Sequence, residues 1–384
     1  MDFDVIIIGG GIVGAAAAYR AGQLGAHTLL CDRRDAGRAT DAGAGILAPE
    51  SSTRDGRLWY DFALDAVGYY SALIEDLAAD CVPGEELSQA YGLCAKMIVA
   101  LDDVEAAALA EIERTVYARQ EERRPPPAES VQRISPSEAR DDYYPLLADA
   151  SAVLLQPAAR RVDGRLMTAA LECGLRARGV ETSEVDASTL LLEDGRVRGV
   201  RSACGDEYMA DAVLIAGGAW STDFGAQLDV EIPVAPQRGQ IIHLQLPGQN
   251  TGAWSIVMGF SDHYQVPWPG GRVAVGATRE TGSGYAACAT VSGVREVLRE
   301  AMRLAPGLRD AAIDDIRVGL RPYTSDHLPL LGAVPGVNGV YLATGHGPTG
   351  LTLGPFSAKL VVEQALGLTP AWDLTPFSVS RFFR

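Results

Sequence analysis

Positive charge is what this sequence has least of. Its 33 Lys and Arg stand against 49 Asp and Glu, for a formal net charge of −16. A protein that grips a phosphate backbone normally presents a basic face, so nucleic acid is not an expected partner, and an anionic membrane surface is disfavoured on the same ground. Long apolar runs are missing too, and no stretch is long enough to span a bilayer. At the start of the chain Asp2 and Asp4 stand where a signal peptide would carry positive charge, and the run Val5–Ile8 is too short for its apolar region. The six cysteines (Cys31, Cys81, Cys94, Cys173, Cys204 and Cys288) form no Cys-x-x-Cys pair and match no zinc spacing. They are expected to be reduced and mostly packing, with no metal site, as in a cytoplasmic protein. Internal repeats are absent as well.

What is present is a chain of 384 residues, 47% of them apolar, enough for two domains or for one large α/β unit with an insertion. The β-branched run Val5-Ile6-Ile7-Ile8 leads straight into glycines, the pattern of a strand buried in a parallel sheet. A helix is predicted over 12–24 with Gly25 as its stop, then a strand over 28–31 ending at Asp32. Further helices are predicted over 57–79, 166–178, 291–303 and 350–366. Ser135-Pro136-Ser137-Glu138 has the form of a capping box with proline at the first helical position. The charged, proline-rich stretch 120–127 is expected to be an exposed connection. Asp194-Gly195 is expected to turn a hairpin. Strands over 212–216 and 339–343 complete the parallel set, whereas 241–246 and 272–276, separated by Pro-Gly turns, predict a distinct antiparallel sheet.

The first strand, the glycines and the first helix form a phosphate loop. Gly9 allows the tight turn, Gly11 lets the backbone approach a pyrophosphate, and Gly14 lets helix and strand pack closely. Phosphates would then meet the unpaired N–H groups and positive dipole end of the helix. Asp32 is placed to accept from ribose hydroxyls and argues against a 2′-phosphate, hence against NADP. The loop alone leaves NAD open beside FAD.

Two further segments bear on that choice. Residues 37–50, Gly-Arg-Ala-Thr-Asp-Ala-Gly-Ala-Gly-Ile-Leu-Ala-Pro-Glu, resemble the segment after the second strand in glycine oxidase and its D-amino acid oxidase relatives. Gly319-Leu320-Arg321-Pro322 and Gly345-His346-Gly347-Pro348-Thr349-Gly350 resemble their C-terminal signature, with residues 211–221 and Arg238-Gly239-Gln240 in the expected order between them. The resemblance covers essentially the whole chain and is to FAD-dependent amino acid oxidoreductases of the D-amino acid oxidase superfamily. It implies an α/β fold: a Rossmann-like FAD-binding domain (1–85, 150–228 and 325–384) with an inserted α+β, antiparallel-sheet substrate domain (86–149 and 229–324).

The same resemblance implies the cofactor contacts. Ile12 and Val13 would lie on the pyrophosphate, Asp32 and Arg33 at the adenosine ribose, and Ala39 and Thr40 would continue the phosphate site. Val185 would face the adenine, Ala44, Gly45 and Ile46 the isoalloxazine, and His346 through Thr352, including Leu351, the pyrimidine end of the flavin. Gly217 and Trp220 belong to the same cofactor set, as does Gly345. Free N–H groups at the start of the helix at Gly350 would suit the negative charge that reduced flavin carries around N1 and C2=O. His346 is expected to act through its backbone, with a packed side chain. The covalent anchor cysteine of the sarcosine oxidase branch is replaced by Gly319, so the FAD is expected to be non-covalent.

For the substrate, the family pairs the arginine at the position of Arg321 with a carboxylate. A guanidinium fork matches a carboxylate bidentately and keeps its charge. Tyr264 resembles a pocket tyrosine whose hydroxyl could donate to the same group, and a core tyrosine is the alternative. Arg279 stands where glycine oxidase has an apolar residue; solvent-facing and pocket-facing positions are both open. Pro348 and Thr349 replace the Arg-Asn of the glycine oxidase flavin turn, which leaves a larger or secondary amine as open as glycine.

The expected reaction is oxidative deamination of glycine, a small D-amino acid or an N-substituted glycine. Hydride passes from Cα to flavin N5, the imine hydrolyses to an oxo acid, and O2 reoxidation yields H2O2. The alternatives are a dehydrogenase that passes electrons to a carrier or quinone, and a non-catalytic flavin-binding module. The expected partners are thus a small amine or amino acid and O2 or an electron carrier, and homo-oligomerisation is left open.

Overall fold

The structure is a computed structural model that describes residues 2–383 apart from 53, 55 and 81. The first strand, β1 (Phe3–Ile8), runs parallel to β2 (Thr28–Cys31) on one side and to Glu207–Ile215 on the other. Strands Glu181–Ser183 and Val340–Thr344 extend this parallel core, and the hairpin Ala187–Glu193/Arg196–Ser202 is hydrogen-bonded to the outer half of Glu207–Ile215. Asp194 and Gly195 both have positive φ (50° and 72°), as a two-residue hairpin turn requires.

Because β1 is central it must be apolar on both faces, and alternation sorts its side chains. Val5 and Ile7 join a core with the helix α1 (Ile12–Gln23), while Ile6 and Ile8 join another beneath the hairpin, to which Phe3 at the strand's end also packs. The alanines at 15–18 keep α1 thin, so that a second helix, Gly350–Ala365, can lie alongside it. At Gly354 a Cβ would come within 3.1 Å of Val13 Cγ2, which is how closely the two helices approach.

The second sheet has nine strands, antiparallel except where Ile256–Met258 meets Lys96–Ala100. Its longest members, Ala235–Gln245 and Ala312–Tyr323, pair with Gly239 opposite Gly319 and Gln237 opposite Arg321. On its other edge Ala235–Gln245 pairs with Arg272–Gly276, which in turn sets Gly276 opposite Tyr264. A small three-stranded sheet of Ile46–Leu47, Tyr91–Leu93 and Arg160–Val162 completes the sheet structure of the described residues.

Two expectations need correction. Residues 120–123 are not connection but the last turn of a helix, Asp103–Arg123, capped by the Asp102 carboxylate on the Glu105 N–H at 2.9 Å. Only Leu109 and Val116 of that helix are fully buried, so its sequence shows almost no apolar stripe. Arg124, at φ 52°, turns the chain out of the helix ahead of the prolines. Second, the strand Ala152–Gln156, which a boundary at 150 assigns to the cofactor domain, hydrogen-bonds into the antiparallel sheet beside Lys96–Ala100. The described thiols are free and mostly packed: Cys31 and Cys94 are buried and Cys173 partly so, whereas Cys204 and Cys288 are exposed. Cys81 lies outside the described residues.

Candidate active site

A single continuous cavity of about 340 Å³ runs from Asp32 and Val185, past the phosphate loop, to Arg321 and Tyr264. Its middle is formed by two helix starts. The first turn of α1 (Ile12, Val13) and that of Gly350–Ala365 (Gly350, Leu351, Thr352) both line it. Neither helix carries an acidic residue in its first turn or a capping side chain at its N-cap. The free N–H groups and positive dipole ends of both therefore point at whatever occupies the space. One of these donors is satisfied within the chain, as Ile12 N–H donates to Thr40 Oγ1 at 3.0 Å.

The glycines are dictated by close approach. At Gly9 (φ 104°) a Cβ would lie 2.6 Å from the Ala216 carbonyl oxygen, and at Gly14 it would lie 1.7 Å from that of Gly9. Gly45 (φ 72°) presses on the Val162 carbonyl in the same way. This seats Ala44-Gly45-Ile46 against the cavity, where the Thr352 hydroxyl donates to the Ile46 carbonyl at 3.3 Å.

At the Asp32 end Arg33 is held by Asp35 and Asp186, and its guanidinium lies 5.9 Å from the Trp220 ring. The sequence reading missed Arg38. It lines the cavity, forms an ion pair with Asp32 at 3.2 Å and donates to the Gly10 carbonyl. It lies within the quoted motif, and its charge beside a phosphate loop was the available signal.

Of the residues singled out from sequence, Gly9, Gly11, Ile12, Val13, Asp32, Arg33, Ala39, Thr40, Ala44, Gly45, Ile46, Val185, Gly217, Trp220, His346, Gly347, Pro348, Gly350, Leu351 and Thr352 line this one cavity, as do Arg321, Tyr264 and Arg279. Three do not. Gly14 is spent on packing, Gly345 sits against Thr324, and the Thr349 hydroxyl turns back onto the His346 carbonyl at 2.8 Å.

At the far end the antiparallel sheet supplies the polar groups. Arg321 donates from Nη1 to the Thr278 carbonyl at 3.0 Å and has no carboxylate partner among the described residues. Burial pushes its pKa down, reinforced by nearby Arg279 and opposed by Tyr264, Asp262 and Glu280, yet a guanidinium stays charged. The Tyr264 pKa is pushed up to about 12, by burial and against Arg321 and Arg279, so it remains a hydroxyl donor. Arg279 resolves the earlier alternative by doing both: it lines the cavity yet is 43% exposed, in an ion pair with Asp262 at 3.1 Å.

His346 is 2% exposed and its Nε2 has no partner among the described residues. Burial lowers its pKa to about 4, so the ring is neutral. Two helix starts without side-chain caps, lining one cavity beside the phosphate loop, suit a polar, anionic dinucleotide, and the donor set fits FAD. No group of three or more His, Cys, Asp or Glu among the described residues could hold a metal ion, and no described helix is long and apolar enough to cross a membrane.

Residues 4–364 match the family of FAD dependent oxidoreductases that includes D-amino acid oxidase, and the chain belongs to that family. It is an enzyme, an FAD-dependent oxidoreductase that acts on amino acid or amine CH–NH donors. The chain is 37% identical over 373 residues to an uncharacterised oxidoreductase, YurR, of Bacillus subtilis (97% of each chain). It is 30% identical over 390 residues to a glycine oxidase of Pseudomonas putida (98% of each). Among solved structures it superposes on an iminodiacetate oxidase from Chelativorans sp. BNC1 with a TM-score of 0.91, 36% identity and coverage of 97% and 98%. Family membership sets aside the non-catalytic flavin module.

Proposed function

We propose that the enzyme oxidises glycine or an N-substituted glycine at its Cα–N bond, with Arg321 holding the substrate carboxylate. One observation carries this reading: a partly buried guanidinium faces the cavity with only a backbone carbonyl as hydrogen-bond partner among the described residues. An uncompensated cation in such a place is costly unless an anion meets it. Tyr264 stands beside it as a neutral donor, so the carboxylate would receive a charged fork and a hydroxyl together. The likeness to glycine oxidases and to an iminodiacetate oxidase supports a donor built on glycine.

FAD, which the phosphate loop and the helix start at Gly350 would hold non-covalently, would supply a two-electron acceptor for the Cα hydrogen, with O2 as final oxidant and H2O2 as its product. The protein's own part is to bind and orient. Fixing the carboxylate fixes the face that Cα–H presents, and positioning of this kind accounts for much of the rate enhancement in such reactions. His346 is neutral and buried, so no side chain is assigned as a base, and the amine must lose its proton before it reacts. Water added to the imine then gives the oxo acid and an amine or ammonia.

Anaerobic flavin reduction against glycine, sarcosine and simple amines tests this. Arg321→Leu should weaken carboxylate substrates roughly hundredfold or more and simple amines far less. Equal effects on both would remove the assigned role. Peroxide formed in air, in step with substrate consumed, distinguishes O2 from a separate electron carrier.

A further inference from the structure

The polar end of the cavity holds more positive charge than one substrate carboxylate can use. Arg279 is on the cavity wall and spends Nε and Nη2 on Asp262, at 3.1 and 3.3 Å, while its Nη1 donates to no group among the described residues. Arg54 stands near enough for Arg279 to depress its pKa, after burial, and is stacked at 5.4 Å on the Trp59 ring with no carboxylate partner among the described residues. The next acid, Glu280, is already paired with Arg238 at 2.6 Å. Among the described residues the two guanidinium groups on the cavity wall, those of Arg321 and Arg279, thus have one lining carboxylate near them, Asp262, which is itself 65% exposed. Two guanidinium groups facing one cavity, with Arg54 adding positive charge behind Arg279, suit a substrate with two carboxylates.

We infer that Arg279 forms a second carboxylate subsite at the cavity mouth, so that the preferred substrate is an amine carrying two carboxylates, one on Arg321 and one on Arg279. This rests on the reading of Arg321 given above and names the substrate class of the same site. Partial exposure makes Arg279 a weaker holder than Arg321, because solvent and salt screen it. It nevertheless presents an unused planar donor edge of the kind that matches a carboxylate. Asp262 holds the arginine extended until the ligand arrives. The second carboxylate could hang from the nitrogen or from the Cα side chain, and the same charges would serve both.

Matched pairs on the holoenzyme test the inference: iminodiacetate against sarcosine for the nitrogen side, D-aspartate against D-alanine for the side chain. The readouts are the dissociation constant from anaerobic flavin reduction and, for binding without turnover, the shift of the oxidised flavin spectrum by thiodiglycolate against (methylthio)acetate. In at least one pair the dicarboxylate should bind about tenfold tighter or better, the size of one partly exposed charge-assisted contact. Arg279→Met should bring that ratio close to one, Arg279→Lys should keep part of it, and added salt should shrink it. The pair that shows the preference identifies the side on which the second carboxylate lies. Ratios near one in every pair, or a ratio unmoved by Arg279→Met, overturn the inference. If the monocarboxylates still reduce the flavin, the reading of Arg321 survives that failure. A flavin that no amine reduces defeats both.

Discussion

The guanidinium of Arg321 lies flat on Gly239: a Cβ at that glycine would come within 2.5 Å of Cζ, Nη1 and Nη2 together. Gly239 sits on the neighbouring strand, opposite Gly319 and two residues along from the partner of Arg321. A similar arrangement serves the tyrosine, since a Cβ at Gly276 would lie 2.8 Å from Tyr264 Oη. The sheet thus leaves side-chain-free floor beneath each of the two groups proposed to hold the carboxylate.

Gly239→Ala should therefore damage binding more than folding. The atoms displaced are the far end of a flexible side chain, so the stability loss should stay within roughly 1 kcal/mol. Losing the docked geometry of a bidentate donor should weaken carboxylate substrates about tenfold or more. Thermal melts and anaerobic titration of the same sample separate the two. A large melting shift with unchanged substrate affinity would count against this placement of Arg321.

The pH dependence of flavin reduction should belong to the substrate. Burial holds His346 neutral, with a pKa of about 4, and Tyr264 protonated, with one of about 12. Neither group changes charge between those limits. The rate should rise with pH along one limb whose midpoint follows the amine pKa from one substrate to the next. A midpoint that stays fixed while the amine changes would point to a titrating protein group instead.

Lys96 is buried, with its ammonium on Ser51 Oγ at 3.0 Å and no acid beside it among the described residues, and burial lowers its pKa from 10.5 to about 8. Below pH 8 both folded and unfolded chains carry the charge, and the folded state bears the full desolvation penalty. Between pH 8 and 10.5 the unfolded chain binds the extra proton, so stability contributed by this site rises with pH. Lys96→Met should accordingly stabilise the protein at pH 7, by roughly 1–3 kcal/mol, with the advantage shrinking as pH climbs through 8 to 10. Chemical denaturation at several pH values would show this, and a destabilised variant at pH 7 would contradict it.

Thr40→Val keeps the shape of the side chain but removes the acceptor for Ile12 N–H. Loss of such a helix-start hydrogen bond typically costs about 1 kcal/mol. Because Thr40 also lines the cavity, the variant should bind FAD more weakly. Titration of apoprotein with FAD, followed by the quenching of flavin fluorescence, measures it. Unchanged affinity would place Thr40 on the structural side alone.

The sequence by itself determined the parts governed by near neighbours. The β1–α1–β2 unit, the glycines at 9, 11 and 14, the helix over 57–79 and the Asp194-Gly195 turn were all legible. Apolar period and turn stereochemistry act over a few residues, and the motifs carried the family and hence the cofactor. The helix Asp103–Arg123 was not legible, because with two fully buried residues it shows no periodic stripe. Tertiary structure alone decided that Ala152–Gln156 belongs to the antiparallel sheet, that Arg38 meets Asp32, that Thr349 turns away from the cavity, and that Arg279 both lines the cavity and pairs with Asp262. Each of these depends on strand register or on side chains meeting from distant segments. Such meetings are fixed by which surfaces the packed core leaves facing one another, and local residue order carries no record of them.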